Sequence, residues 1–454
     1  MSEDAVEELY LFVAPLDRGA APPEFALALE ERLAKVEAKL NQPRKTARNS
    51  SRPPSQDEKP NKRGKGKSGK TGKGGQGQAR SLEPNPDRTV TAPANNCPSC
   101  GGHVGPEHQT LKLRYDRIEI PPVRPDVTRV HQYQGECPCC GERFAATPPD
   151  GLKPGSPFGR SVEEKVIYLH TIHAISYQRL SALMLDMFGV SISEGAIANI
   201  LSRAKGQVDA AVADITAELR QAGVIGCDET GARVAGRKYW QWVFGSATAV
   251  LHKVAPSRGK AVVREVLGAH VPAVWVSDRF AAQTGHGESR QLCLAHLLRD
   301  AQYAIDAGDT VFAPPLKDLL LRAIDIARRR EELQDNTLYQ YRCRLDRDLD
   351  ALVTRPADSR AGEKLRRQIR RVRGDMMTFI EKRAVPYTNN ASERYLRPAV
   401  IFRKVTHGFR ATWGADFYAG VRSVVDTGQL HGLSPFAAIH CVLAGHPIMP
   451  QLSD

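Results

Sequence analysis

Three acidic residues carry the densest chemical information in this sequence. The apolar run AGVIGCDET leads into Asp228, PAVWVSD closes on Asp278, and the segment YTNNASERYLRP presents Glu393 at a helix start. Carboxylates at the ends of neighbouring strands, joined by a third from a packed helix, can hold two divalent cations against one scissile phosphate. The trio is therefore a candidate site for metal-dependent phosphoryl transfer. Glu229 follows Asp228 directly and is expected on the opposite face of its strand, which leaves Asp228 as the ligand. Each acid taken alone has a plainer role, since an aspartate closing a strand is often a turn residue and a glutamate in a first helical turn complements the helix dipole. Around Glu393, however, Asn389, Arg394, Arg397, Arg403 and Lys404 supply amide and cationic groups suited to phosphate.

A second chemistry is written in cysteine. Cys97-Pro-Ser-Cys100 and Cys137-Pro-Cys-Cys140 form two CxxC knuckles separated by 36 residues, and each can bring two thiolates to one tetrahedral zinc. Flanking Pro and Gly suit tight turns, and the segment is too small to fold on a core of its own. Cys139 is read as structural, with CxC ligation through Cys137 and Cys139 as the alternative. Further on, QLCLAH gives Cys293 and His296 a C-x-x-H spacing. No further pair of ligands lies nearby in the sequence, so His296 is expected to orient a phosphate, a carboxylate or its own helix.

These groups need elements to position them, and 454 residues allow several domains. In residues 1–42, Leu29, Leu33, Val36 and Leu40 recur at steps of four and three, which predicts an amphipathic helix that packs on its own chain or forms a self-association seam. Residues 43–95 turn to Pro, Gly, Ser and Lys, a composition that builds no packed core and reads as a disordered basic tether. Residues 96–147 hold the knuckles, and alternation in LKLRYDRIEI and VTRVHQYQ predicts paired strands of a zinc ribbon-like module. Residues 155–222 are helical. Gly189 breaks the pattern, Ser191 and Glu194 have capping-box spacing, and the following helix either reads DNA with Asn199, Ser202 and Arg203 or is one arm of a plain helical hairpin.

From residue 223 to 310 the pattern is α/β. VIGCDET, a turn at Gly231, YWQWVFGSATAV and LHKV predict three antiparallel strands; the helix GKAVVREVLG then leads to PAVWVSD, expected parallel to the first strand and beside it. Asp228 and Asp278 would then meet at one sheet edge. Residues 311–384 place Leu, Arg, Asp and Glu at helical spacing, an all-helical insertion with a basic face that is either solvated or follows DNA backbone. Residues 385–440 complete the catalytic domain: Asn390 is expected to cap the helix of Glu393, Pro398 to stop it, and AVIFRKVTHGF to follow as a strand.

Charge points to the partner. The formal net charge is +13, and residues 41–80 hold twelve Lys or Arg against Asp57 and Glu58, a local surplus of +10. A polyanion is expected, and without a long apolar run or a signal-like start it is nucleic acid in the cytoplasm, not a membrane surface. Five of the nine cysteines fall between Cys97 and Cys140, which in a reducing compartment suits metal, not disulfides.

The order NSSRPPSQD, paired CxxC knuckles, GCDET, YWQWV, WVSD, QLCLAH and TNNASERYLRPAVIFRK resembles the transposases of the insertion sequence 66 family over nearly the whole chain. The resemblance implies a DDE transposase with an RNase H-like catalytic domain interrupted by a helical insertion. It assigns Asp228, Asp278 and Glu393 to two Mg²⁺ or Mn²⁺ ions, and Cys97, Cys100, Cys137 and Cys140 to structural Zn²⁺. It also implies DNA as partner, both element ends and target, with assembly of several protomers, accessory transposition proteins and a place at the bacterial nucleoid. Two departures stand out: Arg279-Phe280 follows Asp278 where the family commonly has Gly-Tyr, and Leu294 replaces a usual Trp. An arginine beside a metal carboxylate would alter the charge at the site. A non-enzymatic zinc-containing DNA-binding protein with a vestigial site is the alternative, and a non-specific nuclease is a third reading.

Overall fold

The computed structural model describes residue 32, residues 42–50, residue 57 and residues 80–449. The predicted helix of Leu29, Leu33, Val36 and Leu40 lies outside the described residues, as does most of the basic tether. The part of the tether that is described departs from expectation. Residues 46–50 form a turn, and the buried Asn49 amide donates to Asp306 Oδ2 at 2.9 Å and to the Arg44 carbonyl at 3.1 Å. The chain forms two compact units, residues 58–154 with 181–192, and residues 1–57 with 155–180 and 193–454.

In the smaller unit both knuckles are built alike. The Cys97 N–H bonds the Gly102 carbonyl and the Gly101 N–H returns to Cys97; the Cys137 N–H bonds Glu142 and the Gly141 N–H returns to Cys137, at 2.8–2.9 Å. Gly101 and Gly141 have φ of +76° and +73°, the left-handed turn that glycine makes without steric cost. An Asn96–His103 bridge closes the first knuckle, and strands β1 (Gln134–Glu136) and β2 (Arg143–Ala145) close the second as a hairpin. The predicted pairing of LKLRYDRIEI with VTRVHQYQ is not formed. Residues 109–133 carry no strand, and Tyr115, Ile120 and Val127 stand exposed, because alternation makes a strand only where a partner supplies the ladder.

The helical stretch begins with α1 (Arg160–Thr171), followed by α2 (Tyr177–Phe188). Gly189, at φ +65°, ends α2, and α3 (Glu194–Leu219) follows as one continuous helix. Its cap is Ser193, whose hydroxyl accepts the Ala196 N–H at 3.2 Å, not the expected Ser191. Helix α3 buries Ile197, Ile200, Leu201, Val208, Ile215 and Leu219.

Strands β3 (Val224–Val234), β4 (Arg237–Gly245) and β5 (Val250–Ala255) form an antiparallel meander. The turn falls at Ala235 and Gly236, with φ of +48° and +75°, and not at Gly231, which lies inside β3. Helix α4 (Lys260–Leu267) crosses to β6 (Val274–Ser277), parallel to β3, and β7 (Ser289–Leu292) adds parallel to β6. The order β5-β4-β3-β6-β7 makes a mixed sheet. All four residues of β6 are buried, as expected of a parallel strand covered on both faces.

Beyond β7 the chain is helical: α5 (Leu294–Asp306), α6 (Ala313–Arg329), α7 (Asp335–Thr354), α8 (Arg360–Val372) and α9 (Thr378–Glu381). Their apolar faces share one core with Val274 and Val276 of β6. Helix α10 (Asn390–Thr406) continues through Pro398 to Thr406, so the predicted stop and the strand-like AVIFRKVTHGF are both overturned. Proline costs a helix interior a hydrogen bond and a clash, roughly 3 kcal/mol. Here Leu396, Ala399 and Phe402 stay buried along α10, and each fully buried large side chain contributes about 1.5–3 kcal/mol. Helices α11 (Thr412–Leu430) and α12 (Pro435–Leu443) finish the unit. Ser423 and Thr427 of α11 accept the N–H groups of His252 and Val250, which caps the outer edge of β5.

Candidate active site

Strand register sets the two aspartates side by side. The parallel pairing of β3 with β6 matches Gly226 with Val276, and continuing it by two residues brings Asp228 level with Asp278, where β6 has ended. Asp278 Oδ1 accepts the Phe280 N–H at 2.8 Å, and its carbonyl is held by Arg290, so the turn after β6 is fixed. Asp228 Oδ1 accepts the Glu229 N–H at 2.9 Å.

Glu393 reaches this place from the first turn of α10, and the close approach depends on glycine. A Cβ on Gly226 would stand 3.0 Å from Ser392 Oγ and 3.4 Å from Asn389 Oδ1, and one on Gly245 would stand 3.5 Å from Tyr395. Asn389, 3 % exposed, donates from Nδ2 to the Cys227 carbonyl at 2.8 Å, tying the start of α10 to the residue before Asp228. It occupies the cap position before the helix in place of the expected Asn390, and its side chain is spent on the strand, not on a cap. The Glu393 N–H bonds the Asn389 carbonyl at 3.1 Å. One turn beyond, Leu396 packs with Val243, the register partner of Asp228.

Helix α5 supplies a third wall. The Cys293 N–H bonds the Ser277 carbonyl at 3.0 Å and the Leu294 N–H bonds Tyr387 at 2.9 Å, so α5 starts between Asp278 and the entry to α10. His296 Nδ1 lies 3.8 Å from Glu393 Oε1, and both atoms are buried without a hydrogen bond. Cys293, His296 and Glu393 bring their ligand atoms within 4.8 Å of one another. Neither the four knuckle thiols nor the trio Asp228, Asp278 and Glu393 forms such a grouping among the described residues. Within each knuckle, backbone N–H groups of the third and fourth residues and the second thiol draw Cys97 and Cys137 below the usual cysteine value. In the second knuckle these groups are the Cys140 N–H and thiol and the Cys139 N–H.

The electrostatics are those of acids crowded without compensation. Burial, then the neighbouring Glu229, pushes the Asp228 carboxyl up to about 8, and Asp278 and Glu393 add to the rise. Burial also holds His296 below its ordinary value while Glu393 pulls it the other way. Glu229 points across the sheet to Arg258, 2.7 Å away, and to Gln283 Nε2 at 2.6 Å. The Arg258 guanidinium stacks over Phe280 at 3.7 Å and over Trp240 at 4.6 Å. Arg279 is turned from the carboxylates into a pair with Asp300 of α5 and a 3.1 Å bond to Gln368 of α8. Its charge is thereby occupied beside the site, and Phe280 serves as a platform for Arg258.

The remaining sequence candidates fall into separate places. Arg397 and Lys404, four and eleven residues past Glu393, repeat its side of α10, and both are exposed, as is Arg394. Arg403 bonds the Gly231 carbonyl. On α3, Asn199 is exposed, while Arg203 is occupied by Glu163 at 2.7 Å and Ser156 at 3.0 Å. The residues that sequence reasoning missed as positioning groups are Gly226 and Gln283; it saw Asn389 as a phosphate-binding amide and not as a clamp. A glycine facing a helix two positions before a candidate ligand was the available signal.

Among the described residues, no helix is long and apolar enough to cross a membrane. No curated protein matches the chain. The family model described as Transposase IS66 family matches residues 155–417, more than half of the sequence and the whole stretch from α1 to α10, and on that match the chain belongs to this transposase family.

Proposed function

We propose that the protein cuts the ends of an insertion sequence and joins the freed 3′ hydroxyls to target DNA by two-metal phosphoryl transfer. The observation that carries this reading is the convergence of Asp228, Asp278 and Glu393 from β3, the end of β6 and α10, with Glu393 Oε1 buried and unpartnered. A donor set of carboxylate oxygens suits a hard cation. Asp228, Asp278 and Glu393 would hold two ions of the Mg²⁺ or Mn²⁺ class, which when bound supply an acidified water and charge neutralisation at the phosphate. The sheet order, three antiparallel strands followed by two parallel ones, supports an RNase H-like reading of this domain, with α6–α9 as the insertion.

The protein's own groups do the positioning. Asn389 and the glycine contact at Gly226 fix Glu393 against β3, and Arg290 fixes the backbone of Asp278. Arg394, Arg397 and Lys404 draw the DNA backbone along α10, and Asn199 on α3 offers an exposed amide to a base edge. Water attacks the phosphodiester at the element end, and the resulting 3′ hydroxyl attacks the target in a transesterification that needs no covalent protein intermediate. The knuckle thiols of Cys97, Cys100, Cys137 and Cys140 are proposed as ligands of structural Zn²⁺, steadied by the N–H groups around Cys97 and Cys137.

The test is strand cleavage on labelled duplexes carrying the sequences that flank this gene, with Mg²⁺ or Mn²⁺, comparing the intact chain with Asp278→Asn. Asparagine keeps an oxygen for the Phe280 N–H, so the fold is retained and only the charge is removed. Metal-dependent nicking at one position, lost in the variant while DNA binding persists, is the expected result. A fully active Asp278→Asn chain sinks the assignment, and binding without cleavage by the intact chain favours a non-enzymatic DNA-binding protein.

A further inference from the structure

At the far end of β3 from Asp228 lies a concavity of about 340 Å³ lined by Gly231, Ala232, Arg233, Gly236, Lys238 and Arg403. Three of its six lining residues are cations and none is an acid. Arg233 and Lys238 are exposed on the two arms of the β3–β4 hairpin. Lys238 Nζ sits 5.0 Å over the Trp240 ring, and neither side chain has a carboxylate partner among the described residues. Arg403 closes the third side from α10 by bonding the Gly231 carbonyl.

The cavity is rigidly made. Beyond Gly226 the β6 side of β3 pairs with no strand among the described residues apart from a single Val234–Phe409 bridge, and Arg403 occupies that edge at Gly231. The hairpin tip is pinned to the loop after α10 by a 2.8 Å bond from the Ala235 N–H to the Phe409 carbonyl. A 2.9 Å bond from the Phe409 N–H to the Arg233 carbonyl completes the attachment. That loop turns through His407 and Gly408 at φ +61° and +108°, and a Cβ on Gly408 would stand 2.7 Å from the Arg233 carbonyl, so the approach requires glycine. Three cations held on a fixed frame, without an acid among them, make a site for an anion.

We propose that Arg233, Lys238 and Arg403 form a binding site for one phosphodiester of bound DNA, distinct from the scissile one. The proposal rests on the phosphoryl-transfer reading of Asp228, Asp278 and Glu393 and adds a second phosphate contact to it. Arg233 is five residues along β3 from Asp228, roughly 16 Å at about 3.3 Å per residue, and the odd spacing puts the two side chains on opposite faces of the strand, so the phosphate held here lies away from the carboxylate site. One site would then hold the backbone on one side of the cleavage position while the carboxylates act on the scissile phosphate.

The experiment is phosphate-ethylation interference with the full chain on the flanking-sequence duplexes, comparing the intact protein with R233Q/K238Q. Both side chains are exposed, and a thermal melt checks that the variant folds. For the intact chain, ethylation of one phosphate other than the scissile one should weaken binding. The variant should lose that interference, keep the one at the scissile phosphate, and show a slope of log affinity against log salt smaller by about 1. An unchanged interference pattern and salt slope in the variant overturns the proposal. An intact chain that neither cuts nor binds any duplex refutes the phosphoryl-transfer reading by itself, before the variant is considered, and takes this proposal with it.

Discussion

Removing the charge at Asp228 is expected to make the metal-free protein more stable. Its carboxyl is pushed from an ordinary value of 3.8 up to about 8, first by burial and then by Glu229, Asp278 and Glu393. Between those values the folded state holds a proton that the unfolded chain releases, so stability falls as pH rises from about 4 towards 8 and levels off above. At pH 7 roughly three pH units of this difference are in force, and at about 1.36 kcal/mol per unit the ceiling is about 4 kcal/mol. Asp228→Asn keeps an acceptor for the Glu229 N–H and recovers part of that ceiling. For a domain of this size each kcal/mol moves the midpoint by about 2–4 °C, so a rise of several degrees is expected. The assay is thermal unfolding of the full chain in chelator, with and without the substitution, at pH 7 and at about pH 4. The advantage of the variant should be clear at pH 7 and small at low pH, and Mg²⁺ should stabilise the wild type more than the variant. A variant no more stable than wild type at pH 7 in chelator would refute the account of Asp228 as an uncompensated acid.

Three further outcomes are expected. Asn389→Ala leaves the Cys227 carbonyl buried and unpaired, which should cost about 1–3 kcal/mol in denaturant unfolding. Its cleavage rate should fall by on the order of 100-fold at temperatures where the variant is fully folded, because Glu393 loses its tie to β3. Gly226→Ala forces Ser392 Oγ from a 3.0 Å contact and should lower cleavage and stability more than Gly245→Ala, whose new Cβ would meet Tyr395 at an ordinary 3.5 Å. In zinc analysis of the purified chain, Cys137→Ser should lose metal, whereas Cys139→Ser should retain it, since the Cys139 backbone and not its thiol serves the knuckle.

Much of the site's frame was legible because β3 and β6 announce themselves. Both are short apolar runs leading to an aspartate, and the helix between them demands a parallel crossover. Glu393 was legible as an acid among amides and cations, but its helix was misread at both ends. Asn390 looks like a cap in isolation, yet the residue at the boundary is Asn389, whose amide is drawn away by the strand carbonyl. Pro398 looks like a stop, yet burial of Leu396, Ala399 and Phe402 carries the helix past it. Gly231 looked like the hairpin turn because Ala235 rarely adopts positive φ, and the turn lies at Ala235-Gly236. The alternating run between the knuckles was misread for the opposite reason. Its pattern is that of a strand, but pairing is a property of two segments and is not encoded in one.

The helical insertion has a consequence in time as well as in space. Asp228 and Asp278 leave the ribosome with β3 and β6, but Glu393 lies 115 residues after Asp278, behind α5 to α9. At ~5–20 residues per second, synthesis of that stretch takes about 6 to 23 seconds. During this interval the nascent chain carries two of the three acids beside an open strand edge. The last acid is delivered by a helix that seats only when Asn389 finds the Cys227 carbonyl and Ser392 meets Gly226. A product interrupted anywhere within the insertion therefore carries Asp228 and Asp278 without Glu393.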